Sequence, residues 1–268
     1  MSPVGGIQGY NEFELNIENV LRTQMPNYFD EIAQAPLIQA NVLALPEKAK
    51  GAYMLLHRDT PVYAGKTDSK HGFRDRLLRH WHTLQYRKKL DIADMSFKAV
   101  RIMVFSNFDV ETILIEEMRK RSKEYLQWND SGFGSNDPGH NRENQETAKF
   151  DDDYPIDIDH PLENVVQAGK HNLRDLLVQA KHRLPFLLRY ETDEKSRNGK
   201  KVIYERHTIG HADQRTVEVQ IPSDMPTMRE LMTIAVRALP GWRFTVFPGR
   251  VIFYRGHEDY KFATEYIP

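Results

Sequence analysis

Two short apolar runs set the frame of this chain. Gly51-Ala-Tyr-Met-Leu-Leu-His and Thr60-Pro-Val-Tyr-Ala-Gly-Lys flank the polar stretch His57-Arg-Asp-Thr-Pro, which predicts two strands joined as a hairpin. Helical spacing then runs from Phe73 to Tyr86, and Phe97 to Phe105 is an apolar strand. Asp109 is placed to cap a helix reaching about Leu126. Ahead of the hairpin, Phe13-Glu-Leu-Asn-Ile-Glu-Asn-Val-Leu fits a short helix. Further on, Leu173 to Leu184 has a helical pattern ended by Pro185, and Arg215 to Ile221 is a strand. A helix from Met228 to Leu239, a strand from Trp242 to Phe247, a turn at Pro248-Gly249 and a strand from Val251 to Tyr254 complete the chain.

Strands followed by helices, rather than regular βαβ alternation, indicate an α+β fold. The division expected is an N-terminal arm over 1–44, a central domain over 45–185 and a C-terminal α+β domain over 186–268. The last of these is a candidate for DNA recognition or dimerisation.

Composition narrows the function classes. Among 268 residues, 37 bases nearly balance 38 acids, so whole-chain charge does not mark a nucleic-acid or membrane partner. Charge is instead local. Nine bases against three acids lie between Tyr53 and Leu90, and seven acids against one base lie between Glu143 and Asp159. The acidic stretch is poor in apolar residues and is expected to be an exposed connection. The absence of cysteine removes disulfides, thiolate metal sites and cysteine nucleophiles, and it suits a cytoplasmic location. Neither a signal peptide nor a membrane-spanning run is seen.

Four features carry candidate chemistry. Tyr53 and Tyr63 sit on paired strands beside Gly51 and Gly65, where a strand glycine often marks close backbone approach. Packing alone would also account for both tyrosines. Arg76 and His80 are four residues apart on a helix, so a guanidinium and an imidazole project together, a pairing that suits a phosphate or a solvated basic face. Glu111 falls at the centre of the helical face formed by Leu114, Ile115, Met118, Tyr125 and Leu126. A carboxylate there calls for a partner such as a metal ion, or it serves the helix N-terminus. Finally, Trp128-Asn129-Asp130-Ser131-Gly132-Phe133-Gly134-Ser135-Asn136-Asp137-Pro138-Gly139 is a shaped, amide-bearing loop that lacks the pattern of a phosphate-binding P-loop.

Taken in order, Gly51-Ala-Tyr53, Tyr63-Ala-Gly65-Lys66, Arg76-x-x-x-His80, Glu111 and Asn129 resemble the GIY-YIG nuclease superfamily. The type II restriction endonuclease branch is the most similar part of it. Val110-Glu111-x-x-Leu114-Ile115, Gly132-Phe133-Gly134, Pro138-Gly139 and Asp157-x-x-His160-Pro161 extend the likeness over residues 45–180. The triplets here read GAY and YAG, and 17 residues separate Glu111 from Asn129, more than the family pattern leads one to expect. Glu117 is therefore the competing metal ligand.

The resemblance implies a small mixed β-sheet flanked by helices and hydrolysis of a DNA phosphodiester with Mg²⁺, or Mn²⁺ in its place. It implies Glu111 on the metal, Arg76 on the transition-state charge, Tyr53 as general base and Asn129 orienting the site. Lys66, His80 and the Tyr63 hydroxyl are the neighbours available to activate Tyr53. Double-stranded DNA as partner, a homodimer on DNA and a separately acting DNA methyltransferase follow as expectations of the same kind.

Overall fold

The structure, a computed structural model, describes residues 16–68, 70–103, 110–133, 143–193 and 206–268. It is an α+β protein in two compact units. One comprises the chain through Arg76 with Met95–Gln127, and the other Leu77–Asp94 with Trp128–Pro268. The division therefore falls inside the stretch 45–185.

The first unit holds α1 (Ile17–Glu31), β1 (Ala35–Pro36), α2 (Gln39–Ala44), β2 (Gly51–His57), β3 (Thr60–Lys66), the start of α3 (Phe73–Gln85), β4 (Met95–Arg101) and α4 (Val110–Arg121). The N-terminal helix is longer than the apolar pattern implied, and Asn16 caps it by accepting from the Asn19 amide at 2.9 Å. Phe13, where that helix was expected to begin, lies outside the described residues, as do Val104, Phe105 and Asp109.

Its sheet has the order β1-β4-β2-β3 with antiparallel pairing throughout. Ala52 and Met54 of β2 and Ala64 of β3 form a core with Met25, Phe29, Leu114 and Met118. That set fixes α1 and α4 on one face. Pro61 is tolerated because β3 is an edge strand, and its carbonyl accepts from the Leu126 amide. The expected helix to Leu126 stops at Arg121. Beyond it the chain turns so that Leu126, with φ of 59°, enters the core. The hairpin turn is made by Arg58 and Asp59, both at positive φ (48° and 65°).

The second unit contains α5 (Lys149–Asp153), β5 (Gly169–Asn172), α6 (Leu173–Arg183), β6 (Leu187–Tyr190), α7 (Arg206–Ile209), α8 (Ala212–Thr216), β7 (Glu218–Ile221), α9 (Met228–Ala238), β8 (Trp242–Phe247), β9 (Arg250–Arg255) and β10 (Glu265–Ile267). Here the sheet order is β10-β8-β9-β6, with β6 parallel to β9, and β5 pairs with β7 separately. The mixed sheet expected of the central domain is not found around the hairpin, whose sheet is antiparallel throughout; the parallel pairing lies instead between β6 and β9 of this unit. Leu173, Leu177 and Ala180 of α6 share one core with Leu188, Met232, Trp242 and Phe253, so this core begins well before residue 186.

Three local expectations change. Arg215 and Thr216 end helix α8 instead of starting a strand, because His211 caps that helix through Asp213 and Gln214. The acidic stretch 143–159 is not a bare connection: Phe150, Ile156 and Ile158 are buried. Lastly, the C-terminal domain, a candidate for DNA recognition or dimerisation, buries all six residues of β8, so that strand offers no exposed face. Arg243 lies over Tyr266 at 4.2 Å and pairs with Asp259, while Arg250 lies over Phe247 at 4.3 Å. Among the described residues no helix is long and apolar enough to cross a membrane.

Candidate active site

Strand register brings the tyrosines together. Tyr53 is opposite Gly65 and Leu55 is opposite Tyr63, so the two phenols share a face, the one turned away from Ala52, Met54 and Ala64. Their ring centroids are 6.1 Å apart at 43°. Gly65 makes this arrangement possible. A Cβ at that position would stand 2.6 Å from the Tyr53 Cζ and hydroxyl and 2.9 Å from a Tyr63 ring carbon. Gly51 serves differently: a Cβ there would meet the Val100 carbonyl oxygen at 2.0 Å, so it permits close pairing with β4. Tyr53 is 1 % exposed, Tyr63 is partly exposed, and Lys66 is exposed at the strand end.

The same end of the sheet carries Lys66 and the turn that leads to Arg76. Gly51 is opposite Arg101 and Ala52 opposite Lys66, so β2 begins where β3 and β4 finish. From Lys66 the chain enters a turn in which Asp68 accepts from the backbone amides of Lys70 and His71, each at 2.7 Å. Asp68 also accepts from Nη2 of Arg76 at 2.6 Å. Those two amides, with His71 and Arg76 behind them, hold the Asp68 carboxyl well below the usual carboxylate range. Meanwhile Nε of Arg76 is buried with no hydrogen-bond partner among the described residues. An unmet buried donor costs roughly 1–3 kcal/mol, and an incoming anion is one way to satisfy it.

Glu111 occupies the first turn of α4, on the stripe continued by the buried Leu114 and Met118. Contacts at the other end place the helix on the sheet. Arg121 pairs with Asp30, Lys98 donates to the Phe29 carbonyl, and the Leu126 amide reaches Pro61. The end of α4 therefore lies beside the middle of β4 and the hairpin half of β3, and the helix packs through Leu114 and Met118 on the Ala52–Met54–Ala64 face, the one opposite the tyrosines. Glu117 is engaged elsewhere. It pairs with Lys120 at 2.6 Å and with Arg22 at 3.3 Å, and these contacts, Lys120 foremost, lower its pKa. Arg22 also holds Glu116 at 2.5 Å.

His80 and Asn129 belong to the second unit. His80, 3 % exposed, stacks on Phe133 with centroids 5.0 Å apart. Asn129 is partly exposed in a single 3-10 turn, Gln127–Asp130, beside the buried Trp128. Trp128, Phe133, Phe150 and Tyr154 pack as one aromatic group. Gly134, Asn136, Pro138 and Gly139 of the glycine-rich loop lie outside the described residues. A cleft of about 660 Å³ opens in this unit beside Arg79, His80, Arg87 and Arg250. Two of its cations serve the fold: Arg87 pairs with Asp151 at 2.6 Å, and Arg250 donates to the Gln145 carbonyl.

Asp68 is the residue that pattern reading missed. Its signal was present, since Thr67-Asp-Ser-Lys-His-Gly72 is a polar, glycine-ended stretch of the kind in which an aspartate hydrogen-bonds the backbone two residues on.

As a holder of metal, the site offers one carboxylate at the start of α4. Among the described residues no three His, Asp or Glu side chains gather as a metal-binding group. A single carboxylate fits Mg²⁺, which keeps several waters and is commonly held by one or two carboxylates together with substrate phosphate. Compared with models of known protein families and with curated proteins, the chain matches none.

Proposed function

We propose that this chain is a divalent-metal-dependent DNA endonuclease of the GIY-YIG type, on its restriction branch, leaving 5′-phosphate and 3′-hydroxyl ends. The observation that supports the reading is the seat Gly65 provides for Tyr53 and Tyr63 on one face of the hairpin, with Lys66 at the strand end and Asp68 holding Arg76 in the turn that follows.

Glu111 would hold the Mg²⁺ or Mn²⁺, which would supply positive charge to the scissile phosphate and the leaving 3′ oxygen. Arg76 neutralises the charge that builds on the phosphate oxygens. Tyr53 takes the proton of the attacking water. A free phenol has a pKa near 10, so Tyr53 must be activated; Tyr63 is its neighbour on the same face of the hairpin, and Lys66 stands on the other face at the strand end. This scheme runs on residues of the first unit alone. Double-stranded DNA is the substrate, cutting of both strands is by a two-fold dimer on DNA, and a methyltransferase acts separately.

Cleavage of supercoiled and linear DNA with Mg²⁺ or EDTA tests the proposal, with Glu111→Ala and Glu117→Ala alongside. Metal-dependent fragments from the wild type, lost in Glu111→Ala and kept in Glu117→Ala, support it. Fragments lost only in Glu117→Ala move the metal ligand. A folded wild type that cuts no DNA overturns the nuclease reading in favour of a DNA-binding module.

A further inference from the structure

We infer that Asp68 is a positioning residue for Arg76, fixing the guanidinium that the proposed reaction uses; the inference rests on the nuclease reading above. Three observations carry it. Asp68 is anchored before Arg76 is considered, because the Lys70 and His71 amides both bind its Oδ1 at 2.7 Å, while its Oδ2 takes the Arg76 Nη2 at 2.6 Å. Oδ1 thus takes both backbone amides and Oδ2 the arginine, while the His71 ring nitrogen Nδ1 lies 3.1 and 3.2 Å from the two oxygens. Secondly, the carboxylate is held ionised across any working pH, so its grip on Arg76 does not switch off with acid.

Thirdly, the pair is poorly placed to serve stability. The Asp68 side chain is 41 % exposed and that of Arg76 26 %, and ion pairs so open to water contribute little to folding. What it does is remove freedom from a long side chain. Tying Nη2 to Asp68 fixes the plane of the guanidinium, whose Nε is buried without a hydrogen-bond partner among the described residues. A guanidinium set in place before DNA arrives loses less entropy in the transition state, which is an effect on kcat rather than on KM.

The test is a double-mutant cycle on the full chain, with Asp68→Ala, Asp68→Asn, Arg76→Ala and Asp68→Ala/Arg76→Ala assayed for kcat and KM. Asp68→Ala is expected to lower kcat about 10–100-fold with KM within about threefold. Asp68→Asn keeps one acceptor as an amide oxygen and falls between. In the Arg76→Ala background Asp68→Ala is expected to change nothing further, since the two act as one unit. Equal losses in both backgrounds overturn the inference, because a merely structural turn residue would act without Arg76.

Nitrogen-15 NMR of the arginine side chains needs no cleavage. A slowly exchanging Arg76 guanidinium in the wild type that is lost in Asp68→Ala supports the hold, and its absence in the wild type overturns it. A wild type that cuts nothing sinks the nuclease reading, and the NMR result still decides the hold of Asp68 on Arg76.

Discussion

Two arginine–aspartate pairs of equal length, one in each unit, have opposite surroundings. Arg76 meets Asp68 at 2.6 Å with side chains 26 % and 41 % exposed. Arg87 meets Asp151 at the same distance, with the arginine side chain 8 % exposed and lying over the Phe150 ring at 5.0 Å. Burial pushes the Arg87 guanidinium below its ordinary pKa, and Asp151 works against that shift. Distance alone would equate the two pairs. Solvent separates them at the arginine: Asp151 is 24 % exposed, but losing it strands the Arg87 charge away from water, so this pair is part of what holds its unit together. The open pair is free to serve a ligand.

That contrast can be broken most severely at Asp151. Asp151→Ala is expected to destabilise the second unit by about 3–5 kcal/mol, the cost typical of leaving one member of a buried pair, read by denaturant unfolding. Little change would mean that water or another carboxylate reaches Arg87. A smaller effect of the same sign is expected from Gly249→Ala. Its new Cβ would stand 2.1 Å from the Asp151 carboxylate, and overpacking of this kind costs about 1–3 kcal/mol.

In the first unit, Gly65→Ala is expected to displace the tyrosine pair and lower cleavage at least tenfold, with at most a modest fall in the unfolding midpoint. Unchanged cleavage would show that the tyrosines need no common seat. Asp68→Asn should be the mildest change of all in stability, with a midpoint inside the scatter of repeat measurements. Its pH dependence is also specific. The folded pKa of Asp68 is depressed, so its contribution is complete above the unfolded value near 3.9 and lost only as pH falls through the lower folded value. Asp68→Asn should therefore lower the pH–rate profile without moving its acid limb.

The hairpin, the helix from Phe73 and the pair Met228–Ala238 and Trp242–Phe247 were legible because apolar spacing and turn residues agreed there. The stretch 143–159 was not, for its seven acids outweighed Phe150, Ile156 and Ile158 in any local average, although those three reach the core. Arg243 and Arg250 show the same limit. Their guanidinium groups are buried against Tyr266 and Phe247, and a sequence cannot show that an arginine lies flat on a ring. For the candidate site, residue types at the right order pointed to Tyr53, Tyr63, Arg76 and Glu111. The role of Gly65 as their seat and the hold of Asp68 on Arg76 needed the strand register and the turn.

The turn at Arg58 and Asp59 bears on how the chain assembles during synthesis. Both residues adopt a backbone conformation that asparagine and glycine take far more readily, so this hairpin begins with a reluctant corner. Its partner on the other side of β2 is β4, which starts at Met95, 29 residues after β3 ends at Lys66. The two tyrosines are therefore expected to meet durably only once β4 has left the ribosome, and the nascent chain carries its reactive groups apart until then. Replacing Arg58-Asp59 by Asn-Gly should bring that meeting forward.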